Sequence, residues 1–229
     1  MQIPVKRLIA DTDHTVKQWG PVHQLVIDTA SESLSVALFT DAALTAYHHE
    51  ITGRGHAEKL VPAIAAFPGG GRADEIIVDT GPGSFTGVRV GIAAARALGY
   101  AWSVPVKGYV SLSLIAAIAR STDAGNDPIT VAITGGHGEL FWQVFDGETL
   151  AILSEVTSTP IAELAAQIDA PVVYGSGAQA LIEARGHGEA RLVEADARAF
   201  SLIPDAHVND AVSPVYGRGA DARPTGVKA

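Results

Sequence analysis

The chain has 229 residues and a net charge of −9, with 16 lysines and arginines against 25 aspartates and glutamates. This length suits one large domain or two small ones, and the negative charge excludes general electrostatic attraction to nucleic acid. The absence of cysteine excludes disulfides and thiolate metal sites. No charged segment with an apolar core opens the chain, so we expect a cytoplasmic protein.

The first half of the chain predicts a hairpin followed by alternating helices and strands. Residues 1–23 show no apolar period and are interpreted as an N-terminal extension. Apolar residues at 25–27 and alternation at 34–38 predict a β-hairpin. The following elements are then expected: a strand at 43–51, a helix at 56–67, a strand at 75–78, a helix at 87–101, an extended link at 104–109 and a helix at 111–120.

Turn-forming residues at 123–128 separate this half from a second one with the same order. Here the pattern predicts strands at 129–133, 140–145 and 150–156, a helix at 161–168, a strand at 172–174 and a helix at 178–185. The repetition predicts two similar mixed-sheet α/β domains side by side. We place them at residues 24–124 and 125–212, before a C-terminal tail at 213–229.

The most distinctive segment is GPGSFTGVRVGIAAARALG at residues 81–99, where a glycine-rich loop runs into an alanine-rich helix. Glycine and proline specify the shape of the loop, and Ser84 or Thr86 can cap the helix. Gly91, Ala95 and Gly99 follow at four-residue spacing, which places three minimal side chains on one face. Such a face permits close packing, either inside the domain or against a second protein.

Two turns are candidates for binding phosphate. Asp28 ends the first strand, where a carboxylate either approaches a bound phosphate or accepts hydrogen bonds from turn amides. The equivalent position in the second half holds Thr134, so autonomous phosphate chemistry is not expected. Gly175-Ser176-Gly177 follows a strand and either cradles a phosphate at a helix N-terminus or is an ordinary strand-to-helix turn. Weak ATP or ADP binding therefore stays open.

Metal and hydrolase chemistry receive little support from the residues. His48 and His49 are adjacent on a strand and point to opposite faces, so they do not chelate one metal together. His56 is followed at helical spacing by Leu60 instead of a second histidine. Ser84 lacks the Gly-x-Ser-x-Gly order of a nucleophile elbow. We predict no catalytic residue, no metal site and no cofactor.

Three motifs together resemble the bacterial TsaB family, also called YeaZ: Asp28-Thr29-Ala30 before the hairpin, His56-Ala57-Glu58 at a helix start, and GPGSFTGVRVG at residues 81–91. Residues 138–142 and 213–216 also fit, so the resemblance covers residues 25 to about 218. It implies an actin-like, ribonuclease-H-like fold. It also implies a noncatalytic role in making N6-threonylcarbamoyladenosine at position 37 of tRNAs.

The resemblance further implies partners. In that family TsaB pairs with the catalytic subunit TsaD and a small ATPase, TsaE, joins them, so tRNA is reached only through the complex. We expect contact with TsaD through the first-half helices and the loop between them, at His56, Gly83, Ser84, Phe85, Thr86, Arg89, Gly91, Ala95 and Gly99.

Other uses of the chain stay open beside this one. The small-residue face suits self-association, so a homodimer is possible when no partner is present. The alternative functions are a nucleotide-binding or ATP-hydrolysing protein and, less favoured, a metallopeptidase. No membrane span is expected, because Arg89 and Arg96 interrupt an apolar run that is too short for a bilayer.

Overall fold

The computed structural model describes residues 21–122 and 125–217, which build two five-stranded mixed sheets. Most of the predicted extension at residues 1–23 lies outside the described residues. The same holds for positions 123 and 124 beside the predicted domain boundary, and for the predicted tail from position 218 onward. The domain boundaries therefore stay a prediction.

The first sheet has the strand order β3-β2-β1-β4-β5. Its strands are β1 (His23–Asp28), β2 (Ser33–Thr40), β3 (Ala43–Ile51), β4 (Glu75–Asp79) and β5 (Val106–Tyr109). The first three strands are antiparallel, and β4 and β5 add in parallel. Three helices belong to this half: α1 (His56–Ala65), α2 (Phe85–Trp102) and α3 (Ser111–Thr122). The predicted extended link at 104–109 thus contains the fifth strand.

The second sheet repeats this arrangement with the order β8-β7-β6-β9-β10. Its strands are β6 (Ile129–Gly136), β7 (Glu139–Phe145), β8 (Thr157–Pro160), β9 (Val172–Tyr174) and β10 (Glu189–Arg191). Two helices follow β8 and β9, α4 (Ile161–Gln167) and α5 (Ala178–Arg185). The antiparallel and parallel pairings match those of the first sheet. This duplication confirms the predicted α/β fold with two similar actin-like, ribonuclease-H-like halves.

The predicted strand at residues 150–156 forms only an isolated antiparallel bridge, between Ile152 and Phe145. The Asp146 carboxylate accepts hydrogen bonds of 3.2 and 2.8 Å from two backbone amides that follow it, which folds the chain into a turn. Leu150 then takes a φ of 61° and is buried. The third strand of this sheet consequently forms later, as β8.

The core explains why both sheets are rich in apolar residues. Leu25 and Ile27 of β1 pack with residues of α1 and α2, whereas Val26 between them packs with residues of α3. Helix α3 contacts the second sheet through β6, so it lies between the two sheets. After β10 the chain returns to the first sheet, where a 3₁₀ turn at Ala197–Leu202 packs against β1 and β2. Within the described ranges, no helix is long and apolar enough to cross a membrane.

Candidate partner-binding face and buried carboxyl pair

The glycine loop joins the carboxyl end of β4 to α2 and lies against the turn that follows β1. Gly81 has a φ of 88°, a conformation that favours glycine. A Cβ on Gly83 would lie 2.1 Å from the carbonyl oxygen of Ala30, so this approach requires glycine. Of the two predicted capping residues, Ser84 caps α2, because its Oγ accepts a 3.2 Å hydrogen bond from the amide of Gly87.

The small-residue face of α2 packs inside the chain itself. Gly91, Ala95 and Gly99 are all buried. A Cβ on Gly91 would lie 2.5 Å from Oγ1 of Thr29, and one on Gly99 would lie 2.3 Å from Cγ2 of Val106. The placement of these three residues in a partner interface is therefore wrong, because their close approach is to the first sheet.

His56 and Gly83 also serve the chain's own packing. His56 is buried, and its Nε2 lies 3.2 Å from the carbonyl oxygen of Ser33. Gly83 is pressed against the turn after β1 and carries no side chain to present. His56 is therefore not available to a partner, whereas Gly83 is partly exposed and its place in the partner surface stays a prediction.

The opposite side of α2 is exposed and contains Phe85, Thr86 and Arg89 of the predicted interface, and the exposed cap residue Ser84 directly precedes it. Phe85 is 66% exposed and Tyr100 is 91% exposed, at the two ends of the helix. Residues three or four positions apart share one side of a helix. We define the exposed α2 face as Phe85, Thr86, Arg89, Ala93, Ala97 and Tyr100. Val61 of α1, which packs beside α2, is also half exposed.

The C-terminal segment 213–217 lies across the start of this face. The guanidinium carbon of Arg89 lies 3.3 Å from the ring centroid of Phe85 and 5.3 Å from that of Tyr216. Arg89 also donates a 2.6 Å hydrogen bond to the Tyr216 hydroxyl. The amide of Val215 donates to the carbonyl of Thr80 at 2.8 Å, which ties the segment to the glycine loop. Arg89 is thus held within the chain.

Two buried aspartates lie beneath the loop. Asp28 and Asp79 end the adjacent parallel strands β1 and β4, are each 1% exposed, and have carboxyl groups close enough to share a hydrogen bond when one of them is protonated. The pair accepts four further hydrogen bonds, from the Ala30 amide at 3.1 Å, the Tyr109 hydroxyl at 3.1 Å, the Gly81 amide at 2.7 Å and the Ser111 hydroxyl at 2.6 Å.

Burial is the main cause of the raised pKa values in this cluster. It raises the pKa of Asp28, and burial together with the Asp28 charge raises the pKa of Asp79 well above its usual range. Burial and the two nearby carboxylates also raise the pKa of the Tyr109 hydroxyl. Because Asp28 is enclosed and already bonded to a turn amide, its geometry fits the turn-forming alternative and not the phosphate-binding one.

At the second candidate phosphate site, most of the turn amides are already hydrogen-bonded within the chain. The amides of Gly175, Gly177 and Ala178 each donate to a backbone carbonyl, at distances of 3.0 to 3.2 Å. The hydroxyl oxygen of Ser176 accepts a 3.2 Å hydrogen bond from the amide of Thr134. With these donors already used, the segment behaves as a packed strand-to-helix turn.

The described histidines do not assemble a metal site. His48 lies 3.6 Å from Glu50, and His49 lies 3.8 Å from Asp196 on the other side of the strand. No group of three or more metal-binding side chains occurs within residues 21–122 and 125–217.

The sequence reasoning missed several residues that the structure brings to this region. Asp79 was overlooked, although the dipeptide Asp-Thr ends both β1 and β4, at 28–29 and 79–80, and this repetition is a usable signal. Tyr109 comes from a segment that was not predicted as a strand. Tyr100 carries no local motif, and the stretch at 213–216 gives no sign that Tyr216 contacts Arg89, because both roles depend on which sides of α2 are covered.

Comparison with known proteins matches this architecture to one family. Residues 47–171, more than half of the chain, match the family model described as TsaD, tRNA N6-adenosine threonylcarbamoyltransferase. The chain is 36% identical over 123 residues to the tRNA threonylcarbamoyladenosine biosynthesis protein TsaB of Escherichia coli, covering 52% of each protein. It is 30% identical over 116 residues to TsaB of Bacillus subtilis, covering 48% of this chain and 51% of that protein. The matched part thus spans about half the length of these curated relatives.

Solved structures extend the likeness over most of the chain. A Pseudomonas aeruginosa protein described as similar to peptidase YEAZ has 25% identity and a TM-score of 0.71, covering 86% of this chain and 100% of that one. YeaZ from the same species has 24% identity and a TM-score of 0.72, covering 85% and 99%. The family-model match, the TsaB relatives and the shared fold together show that the chain belongs to the TsaB/YeaZ proteins of the TsaD threonylcarbamoyltransferase family.

Proposed function

We propose that this chain takes part in forming N6-threonylcarbamoyladenosine in tRNA, as a noncatalytic subunit that binds and activates a TsaD-type transferase. The names of the E. coli and B. subtilis relatives support the pathway. The observation that carries the binding role is the exposed α2 face, which presents aromatic rings from a helix whose other side is already packed.

The exposed α2 face has the properties of a protein-binding surface. Tyr100 and Phe85 bring large aromatic rings with few rotatable bonds, and such side chains often dominate the binding energy of protein interfaces. The backbone beneath them is held by the Ser84 cap and by the glycine contacts with the first sheet, so little order has to be acquired on binding. A capped helix with exposed rings therefore suits a docking surface for a folded partner.

The candidate reactive groups support a binding role over a chemical one. Asp28 and Asp79 are enclosed beneath the glycine loop, and the amides of Gly175, Gly177 and Ala178 are used in backbone hydrogen bonds. Activation then consists of ordering the catalytic partner, with tRNA held through the complex. A TsaE-type ATPase is the further partner that family membership suggests.

The experiment is light scattering during size-exclusion chromatography of the chain alone and mixed with the TsaD-type protein of the same organism. A heterodimer is expected, and Tyr100→Ala should raise its Kd about 30-fold, which is equivalent to a loss of about 2 kcal/mol in binding free energy. The matched control is Leu192→Ala, which removes a side chain 73% exposed in the second half and should leave Kd unchanged.

The outcomes separate the alternatives. A failure of the unaltered chain to bind would contradict the subunit role, whereas equal binding by Tyr100→Ala would contradict only the placement of the interface. A dimer of the chain alone that Tyr100→Ala dissociates would show that the same face self-associates. Thermal stabilisation by ATP without partner binding would favour the nucleotide-binding alternative.

A further inference from the structure

The Asp28–Asp79 pair takes no part in the proposed partner contact, yet it is among the most completely buried polar groups in the first half. Two ionised carboxylates in hydrogen-bond contact inside a protein repel each other strongly, and burial removes the water that would screen them. A single proton shared between two such groups removes this repulsion, as in carboxyl dyads generally.

Neighbouring groups donate hydrogen bonds to the pair, and the charged group that acts on it from outside is a carboxylate. Tyr109 on β5 and Ser111 on α3 donate through their hydroxyls, and backbone amides donate from the two turns. The charged group that acts on Asp28 from outside the pair is Asp196, a third carboxylate. Asp196 is itself paired with Arg198 and lies 3.8 Å from His49 of β3. The negative charge of Asp196 favours the binding of a proton by the pair.

We propose that the Asp28–Asp79 pair is a proton-binding site, in which Asp79 holds one proton in the folded protein at neutral pH and donates it to the Asp28 carboxylate. The proton is taken from solvent when the chain folds and returns to solvent when it unfolds. The proposal goes beyond the proposed function and does not depend on it.

This proton holds the glycine loop in place. Asp79 accepts the Gly81 amide through one oxygen, and the Ser111 hydroxyl is within hydrogen-bond distance of both Asp79 and the carbonyl of Pro82. The loop then continues directly into the Ser84 cap of α2. Loss of the proton would place two like charges beneath the loop that positions α2.

The direction of the pH dependence follows from the raised pKa of Asp79. A folded-state pKa above the unfolded value, 3.8 for Asp, means that the folded chain binds more protons than the unfolded chain between those two values. The stability that the proton contributes is fully present below the unfolded pKa and is lost as the pH rises through the folded pKa. In that window the one extra proton lowers the folding equilibrium constant about tenfold for each pH unit of increase.

The experiment is urea unfolding of the full chain and of the Asp79→Asn variant at several pH values between about 5 and about 8. The amide side chain of this variant still accepts the Gly81 amide and offers a permanent N–H to Asp28, so its stability should not need the proton. Relative to that of the variant, the folding equilibrium constant of the unaltered chain should fall about tenfold for each pH unit of increase. The control is Asp146→Asn, which alters a partly exposed carboxylate with a lowered pKa and should give a profile parallel to that of the unaltered chain.

The three proteins differ at one carboxyl group each, so the differences between their profiles carry the result. Parallel profiles for Asp79→Asn and the unaltered chain would overturn the proposal. A second measurement keeps it testable if the variant does not fold: infrared spectroscopy of the unaltered chain at neutral pH should show a buried protonated carboxyl that disappears on unfolding. Absence of that band would also overturn the proposal.

Discussion

Gly91 illustrates how a single missing side chain decides which side of α2 is available to a partner. A Cβ here would approach Oγ1 of Thr29 to 2.5 Å, and the neighbouring atoms belong to Val78 and Ile27 in the first sheet. The same glycine therefore sets the distance between helix and sheet, which in turn leaves the opposite side of the helix outside.

Gly91→Leu should destabilise the isolated chain, because the added side chain overpacks the contact between helix and sheet. We expect a loss of about 3 kcal/mol in the free energy of unfolding, measured by urea denaturation. Ala93→Leu, at an exposed position of the same helix, should change it by less than about 0.5 kcal/mol. Equal stability of Gly91→Leu and the unaltered chain would show that this side of α2 is not packed.

At the scale of elements, α2 is placed by contacts at both ends. Its start is held by the glycine loop and by the C-terminal segment 213–217, through the Val215–Thr80 hydrogen bond. Farther along, Arg96 donates a 2.6 Å hydrogen bond to the carbonyl of Val212, so the chain that returns from the second half follows α2. The position of the exposed α2 face therefore depends on contacts from both halves of the chain.

Tyr216→Ala should lower the free energy of unfolding by up to about 1 kcal/mol, because it removes a partly exposed cation–π contact with Arg89 and the ring contact with Phe85. Tyr216→Phe keeps the ring and loses the hydroxyl that Arg89 contacts, so it should cost less. Chemical denaturation of the two variants checks this order. A larger cost for Tyr216→Phe would contradict the stacking interpretation.

At the scale of the whole molecule, one hydroxyl links the first sheet to the segment returning from the second. The Ser35 hydroxyl on β2 accepts a 3.0 Å hydrogen bond from the amide of Ala197 and lies 3.2 Å from Oδ1 of Asp196. Ser35 and Ala197 are both essentially inaccessible to solvent. A buried amide at this junction has no water to replace a lost acceptor.

Ser35→Ala should therefore destabilise the chain by about 1 to 3 kcal/mol, the cost of leaving a buried N–H without an acceptor. Urea unfolding provides the measurement. Ser121→Ala is the control, since this exposed serine donates to the carbonyl of Ile118 in its own helix and its loss should be small. Similar values for the two variants would mean that the junction tolerates an unpaired amide.

Local pattern was sufficient for most of the fold, and its failures have specific causes. A continuous apolar run predicted β1, both of whose faces are covered, and alternation predicted β2, because side chains along a strand alternate between two faces. At 150–156 apolar content predicted a whole strand, whereas the chain there follows a turn at Asp146, has a positive φ at Leu150 and makes only one isolated bridge, at Ile152. It missed β5 because a parallel strand is recognised by its neighbour β4, which is distant in sequence.

The sequence by itself determined the duplicated α/β order, the glycine loop with its serine cap, and the motifs of the TsaB family, because these depend on residues close together along the chain. The tertiary structure alone decided that Gly91, Ala95 and Gly99 face inward, that Tyr100 faces outward, and that Asp28 meets Asp79. Small side chains permit close approach without specifying the partner, and two carboxyl groups 51 positions apart meet only when β1 and β4 pair in parallel. The direction of a helix face and the acidity of a buried pair are properties of the packed molecule.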